Sequence, residues 1–138
     1  MSNKRIRSLL EGRLKTWAAA RSTPIRVAYQ NVQFTPNSGE TYLRCFVLPA
    51  TTGSDTLEGE HRRYEGVWQV NIVKPLDGGL GSALGIEDEL ATLFPINLQL
   101  TSSGFELYIR TPMGSGSPIF DDLNVTLPVS CRYRADTP

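Results

Sequence analysis

The lone histidine, His61, sits among Glu58, Glu60, Arg62 and Arg63. An imidazole beside a carboxylate does general-base work when a nucleophile and an oxyanion site converge on it. No Gly-x-Ser-x-Gly elbow supplies that nucleophile. Both cysteines, Cys45 and Cys131, fall in strand-like runs where a thiol is a buried apolar group. A solvated loop histidine is the better reading. The run Gly78-Gly-Leu-Gly-Ser-Ala-Leu-Gly85 lies between a strand and a helix, where phosphate loops are found. Such a loop needs Gly-Lys before Ser or Thr, but Gly81 is followed directly by Ser82. A dinucleotide fingerprint needs a following parallel strand with an acid near its end, and residues 98–101 have none. The run is therefore read as a βα turn, and no cofactor is expected. Asp121-Asp122 lacks the further spaced oxygen ligands of a cation site. Trp17 and Trp68 can stack on bases in principle, but each falls on an apolar stripe, so core packing is expected of both. No catalytic constellation is assembled, and an enzyme using His61 is kept only as a minor alternative.

The elements that position these residues follow from periodicity. Ser2 is an N-cap for a helix through about Ala20, whose Ile6, Leu9, Leu10, Leu14, Trp17 and Ala18 recur at three- and four-residue spacing. Short strand character at 25–29 is followed by a turn cluster at 35–39, then by a β-branched and aromatic run at 42–48. From Tyr64 the residues Gly66, Trp68, Val70 and Ile72 share one face, with Val67 and Val73 breaking the polar face. A second helix ends at Pro95 and is expected to turn Leu80, Leu84, Leu90, Leu93 and Phe94 inward, leaving Glu87, Asp88 and Glu89 exposed. Residues 98–101 and 105–110 flank a Ser-Ser-Gly hairpin turn, and 111–118 is expected to be a flexible loop. Leu123, Val125, Leu127, Val129, Cys131 and Tyr133 alternate with polar residues, which predicts a long strand with one buried face. Pro128 on its polar parity points to an edge strand or a bulge. The order predicts an α+β fold, a two-layer sandwich with two helices packed on one face of a mostly antiparallel, mixed β-sheet.

At 138 residues the chain is expected to be a single domain. Formal charge is zero, yet residues 1–26 carry seven Lys/Arg against Glu11 alone, a net of +6 that leaves −6 on the other 112. The neutral total argues against nucleic-acid binding by the whole surface. No apolar run approaches the ~20 residues of a membrane span, and Glu11, Arg13 and Lys15 interrupt any signal-like stretch. Neither a membrane nor a specific nucleic acid is expected as partner. Two reduced, buried thiols are expected of Cys45 and Cys131.

Several stretches resemble a phage family. They are the opening Ile6-Arg-x-x-Leu-Glu-x-Arg-Leu with Trp17-Ala, Leu43-Arg-x-x-x-Leu-Pro49, and Leu57-x-Gly-x-His-Arg-Arg-Tyr64 running into Gln69-Val70. Leu93-Phe-Pro95 and Val129-Ser-x-x-Tyr133-Arg complete the set. Together the chain resembles the phage tail terminators, small tail-completion proteins typified by siphophage minor tail protein U. The resemblance implies an α/β fold without enzymatic activity. It implies a homo-oligomeric ring, a hexamer, that caps the tail tube, stops its polymerisation and joins the head, with another neck or head-completion protein as the alternative. The implied partners are further copies of the chain, the major tail tube protein and a head-completion or stopper protein. The implied location is the neck end of the virion tail, after assembly in the host cytoplasm. Because ring contacts are heterologous, two complementary patches are expected. One is a projecting loop carrying Asp55, Leu57, Glu58, His61, Arg62 and Arg63, and the other is the basic first helix with Arg5 and Arg13.

Overall fold

A computed structural model describes residues 2–50, 62–102 and 104–137. Helix α1 spans Ser2–Ala20 and is followed by strands β1 (Arg26–Ala28), β2 (Tyr42–Pro49) and β3 (Arg62–Pro75). Helix α2 spans Gly81–Leu93, and five strands complete the chain: β4 (Gln99–Ser102), β5 (Phe105–Ile109), β6 (Gly114–Ser115), β7 (Ile119–Phe120) and β8 (Asn124–Thr137). The strands form one sheet in the order β1-β2-β3-β8-β5-β4, with β6 and β7 also paired to β8. Among the described residues only β1–β2 is parallel. This is the expected two-layer α+β sandwich, with residues of both helices in one core cluster on one face of a mixed sheet. Among the described residues no helix is long and apolar enough to cross a membrane.

The inner face of the sheet follows the period-two pattern. Leu43, Cys45 and Val47 on β2, Trp68, Val70 and Ile72 on β3, and the alternate residues from Val125 to Ala135 on β8 are all buried. On α1 the buried positions Ile6, Leu10, Leu14 and Ala18 recur every four residues, and Leu9 and Trp17 flank them half-buried. Trp68 is fully buried, and its ring meets Phe94 edge-on at 5.7 Å between centroids. Trp17 packs against the margin of the core as expected, and it is half-buried there.

Helix α2 corrects the expected stripe. Ala83, Ile86, Leu90 and the following Phe94 face the core, whereas Leu84 is 45% exposed. Each residue turns the helix by about 100°, so Leu84 lies about a third of a turn off the line through 83, 86 and 90. Glu87 falls near that line and is half-buried, with its Oε1 shielded, against the expected exposure. The turn into α2 is built from left-handed residues, with φ of 80° at Asp77, 82° at Gly78 and 71° at Gly79. Lys74 ends the buried parity of β3, and its Nζ donates to the carbonyls of Pro75 at 2.9 Å and Asp77 at 3.0 Å, tying this turn shut.

Three further corrections concern the last third. Leu123 is 76% exposed, because Asp121 Oδ1 accepts from the N–H groups of Leu123 and Asn124 and bends the chain just before β8. The segment 111–118 contains β6 and leads into β7, which take up the margin of β8 that β5 leaves open. Strand β8 is interior, between β3 and β5, so Pro128 marks no edge strand. Its carbonyl accepts from Gly116 at 2.8 Å, so its backbone polar atoms face β6 and away from β3, and the ladder to β3 needs no N–H there.

Cys45 and Cys131 are both free and buried. They lie on β2 and β8 with β3 between them, so about 10 Å separates their strands, beyond disulfide reach. Burial, reinforced at Cys45 by the charge of Glu11, pushes both thiols up to about 12. Neither thiol is expected to react with iodoacetamide in the native protein at neutral pH, and both are expected to react once denatured; intact mass after non-reducing alkylation checks this. Trp68→Ala is expected to cost about 3–5 kcal/mol by leaving a cavity. Gly66→Ala is expected to cost about 1–3 kcal/mol, since a Cβ there would lie 2.5 Å from the Leu48 carbonyl and from the Tyr133 hydroxyl. Denaturant midpoints equal to wild type would contradict both assignments.

Candidate partner-binding site

The expected contact residues separate into three groups. Asp55, Leu57, Glu58 and His61 lie outside the described residues. Arg62 and Arg63 open β3, in register with Thr137 and Asp136 of β8, and Arg63 Nε lies 3.3 Å from Glu65 Oε1. Arg5 is exposed and shares a hollow with Lys4, Ser8 and Ser102. The register runs Arg63–Asp136–Glu106–Thr101 across β3, β8, β5 and β4, so Arg5 and Arg63 occupy the same end of the sheet. About three strand spacings, ~14 Å, separate their neighbourhoods across its width. Arg13 is placed elsewhere. Its Nε donates to the Leu93 carbonyl at 2.8 Å, filling one of the acceptors left open at the end of α2.

Arg13, Trp17, Glu89, Thr92 and Leu93 line a groove between the helices of about 420 Å³. Arg21 engages two of these residues. Its guanidinium lies 5.4 Å from the Trp17 ring and makes a two-pronged contact with Glu89, Nε to Oε1 at 3.0 Å and Nη2 to Oε2 at 2.8 Å. The hydrogen bond from Arg21 holds the Glu89 carboxyl below its ordinary range. These contacts join the two helices and present no group poised for proton transfer.

The outer face of the sheet carries a second hollow, of about 500 Å³, floored by Val67 and Ala50 and rimmed by Arg110, Arg132 and Arg134. Arg134 is engaged by Asp136, at 3.1 and 3.3 Å. The Arg110 N–H donates to the Arg132 carbonyl at 2.8 Å, which sets these two residues opposite one another just past the end of β5. Both are exposed, and among the described residues neither side chain has an acidic partner. Like charges directly opposite on a sheet are unfavourable, so the pair is a cost to the isolated chain. Alternation along β8 signalled Arg132 and Arg134 as outward-facing. Nothing local brings Arg110 beside them, because that pairing joins residues 22 apart in sequence.

A third surface is the turn between β7 and β8. Ile119, Phe120 and Leu123 are 61, 65 and 76% exposed, around Asp121 and Asp122. The backbone N–H groups of Leu123 and Asn124 hold the Asp121 carboxyl below its usual range. The Leu76 N–H donates to the Leu123 carbonyl at 3.1 Å, so the turn is fastened to the body. Among the described residues no group of three or more His, Cys, Asp or Glu is placed to hold a metal ion.

The helix clamp has a defined pH dependence. Because the folded Glu89 carboxyl is lowered, its contribution is present above the ordinary carboxylate pKa and is lost as pH falls through the lowered value. Glu89 is 42% exposed, so Arg21→Ala is expected to cost no more than about 1 kcal/mol at pH 7. The difference from wild type is expected to shrink below about pH 4. Thermal unfolding of both proteins from pH 7 to pH 3 measures it, and a gap that widens in acid would refute the assignment.

Comparison with known proteins places these surfaces in context. A family model described as phage tail terminator protein matches residues 5–133. One solved structure, which carries no functional description, aligns with a TM-score of 0.83 at 44% identity, over 98% of this chain and 96% of its own. No curated protein matches the chain. The matched span runs from the first turn of α1 to Tyr133 of β8 and so takes in both helices, the sheet and all three surfaces: the chain belongs to the phage tail terminator family, structural components of the virion tail.

Proposed function

We propose that this chain, acting as a single domain, assembles with further copies into a ring, a hexamer, on the end of the tail tube. The ring stops tube polymerisation and gives the head-completion protein its joining surface. The observation that carries this reading is the family match over residues 5–133. A capping ring touches neighbouring copies, the tube below and the head side above, and the chain offers several exposed surfaces for such contacts. The protein works by contact, without catalysis or cofactor, at the neck end of the tail after assembly in the host cytoplasm.

Within this reading the sheet end bearing Arg5, Arg62 and Arg63, with the adjoining Asp55, Leu57, Glu58 and His61, meets a partner, while Arg13 serves mainly to secure α2. The charge imbalance supports the pairing, since the −6 carried outside residues 1–26 supplies acidic surface on a neighbouring copy. Phage lacking this gene are expected to make overlong tails without heads, and the wild-type gene is expected to restore normal ones. Arg62→Glu with Arg63→Glu is expected to leave the monomer folded, yet to fail in complementation, because reversed charges at a contact cost several kcal/mol. Tail length by electron microscopy is the readout. Normal tails without the gene would end the capping reading, whereas normal tails from the double variant would end only the assignment of these arginines.

A further inference from the structure

Across the outer face, one row runs Leu48 on β2, Val67 on β3, Arg132 on β8 and Arg110 just after β5. Leu48 is 43% exposed, and the row is therefore two apolar residues followed by two cations that have no acidic partner among the described residues. The β7–β8 turn reads Ile119-Phe120-Asp121-Asp122-Leu123, two exposed apolar residues followed by two acids. The two surfaces match in polarity and are opposite in charge. They cannot meet within one chain: the turn precedes Asn124, and Arg132 lies eight residues farther along the same strand, about 27 Å away. Both are held by that one strand, so their separation does not relax.

We propose that the β7–β8 turn of one copy docks in the Arg110–Arg132 hollow of the next. Phe120 and Leu123 rest on Val67 and Leu48, and the Asp122 carboxylate sits between the two arginines and offsets part of their charge. The occupant is a second copy of this chain, because the turn that complements the hollow in order and charge is its own. A surface that meets a different surface of an identical neighbour propagates head to tail and closes when the rotation per copy permits. This deepens the ring reading above and rests on it. It also gives the like-charged pair a reason to exist, since docking brings a carboxylate to the repulsion between Arg110 and Arg132.

The test is cross-linking in tails, where neighbouring copies are in place. The chain carrying Val67→Cys and Leu123→Cys is expected to give disulfide-linked multimers of itself after oxidation of isolated tails. Each single substitution is expected to give monomers, and the buried Cys45 and Cys131 contribute no background. A doubly substituted chain that is incorporated into normal tails yet stays monomeric, or that links to another tail protein, would overturn the proposed contact and leave the tail role standing. A charge exchange gives an independent arm. Asp122→Arg alone, and Arg110→Asp with Arg132→Asp, are each expected to lower incorporation about tenfold or more, and all three substitutions in one chain are expected to restore it. Undiminished incorporation of Asp122→Arg, with unchanged unfolding of the purified protein, would likewise overturn the docking.

Discussion

The pairing of β3 with β8 is the constraint on which the rest of the molecule depends. The two strands are in register from Arg62–Thr137 to Pro75–Asn124, across the middle of the sheet. Every other strand attaches to one or the other, directly or through a neighbour. Their facing alternation places Trp68, Val70 and Ile72 beside Cys131, Val129 and Leu127 on one side, and Val67 beside Arg132 on the other. A slip of one residue would exchange the faces and expose the core. Gly66 secures the register locally, since the Tyr133 side chain occupies the space that a Cβ would need. The pairing joins residues some 50 to 75 apart in sequence, so it forms against a substantial loop-closure entropy.

On that frame the helices form a layer rather than two separate covers. Arg13 satisfies the end of α2, and Arg21 grips Glu89 while resting on Trp17. These contacts commit Arg13 of the first helix and Arg21 just beyond it to holding α2, and leave Lys4, Arg5 and Lys15 exposed. A basic helix is usually read as a binding face, but here its inward edge fastens its neighbour. A further pair of exposed cations, Arg110 and Arg132, lies on the opposite face of the sheet, away from the helices.

Much of the architecture was legible in periodicity. The four-residue recurrence of Ile6, Leu10, Leu14 and Ala18, and the alternation through Val70 and Ile72 and from Val125 onward, placed α1, β3 and β8 and the face each buries. The errors have particular causes. Leu84 was assigned inward by its hydrophobicity although its angle on the helix points it away. Leu123 matched the parity of β8, but the side chain of Asp121 bends the chain before that parity begins. Strands β6 and β7 are two residues each and have no readable period, so they appear only once β8 offers an open margin.

The candidate surfaces divide in the same way. The amino-acid sequence by itself determined the fold class, the burial of both thiols, the outward parity of Arg132 and Arg134, and, through its packing and turn residues, the family. These are local or periodic properties, set by side-chain type and spacing along one segment. Only the tertiary structure decided that Arg110 stands opposite Arg132, that Arg13 is occupied by α2, and that an apolar, acidic turn projects from the far end of the strand bearing Arg132. Each of these depends on which strand edges meet and in what register, and that is settled by long-range hydrogen bonding and core packing, to which no single stretch of residues carries the key.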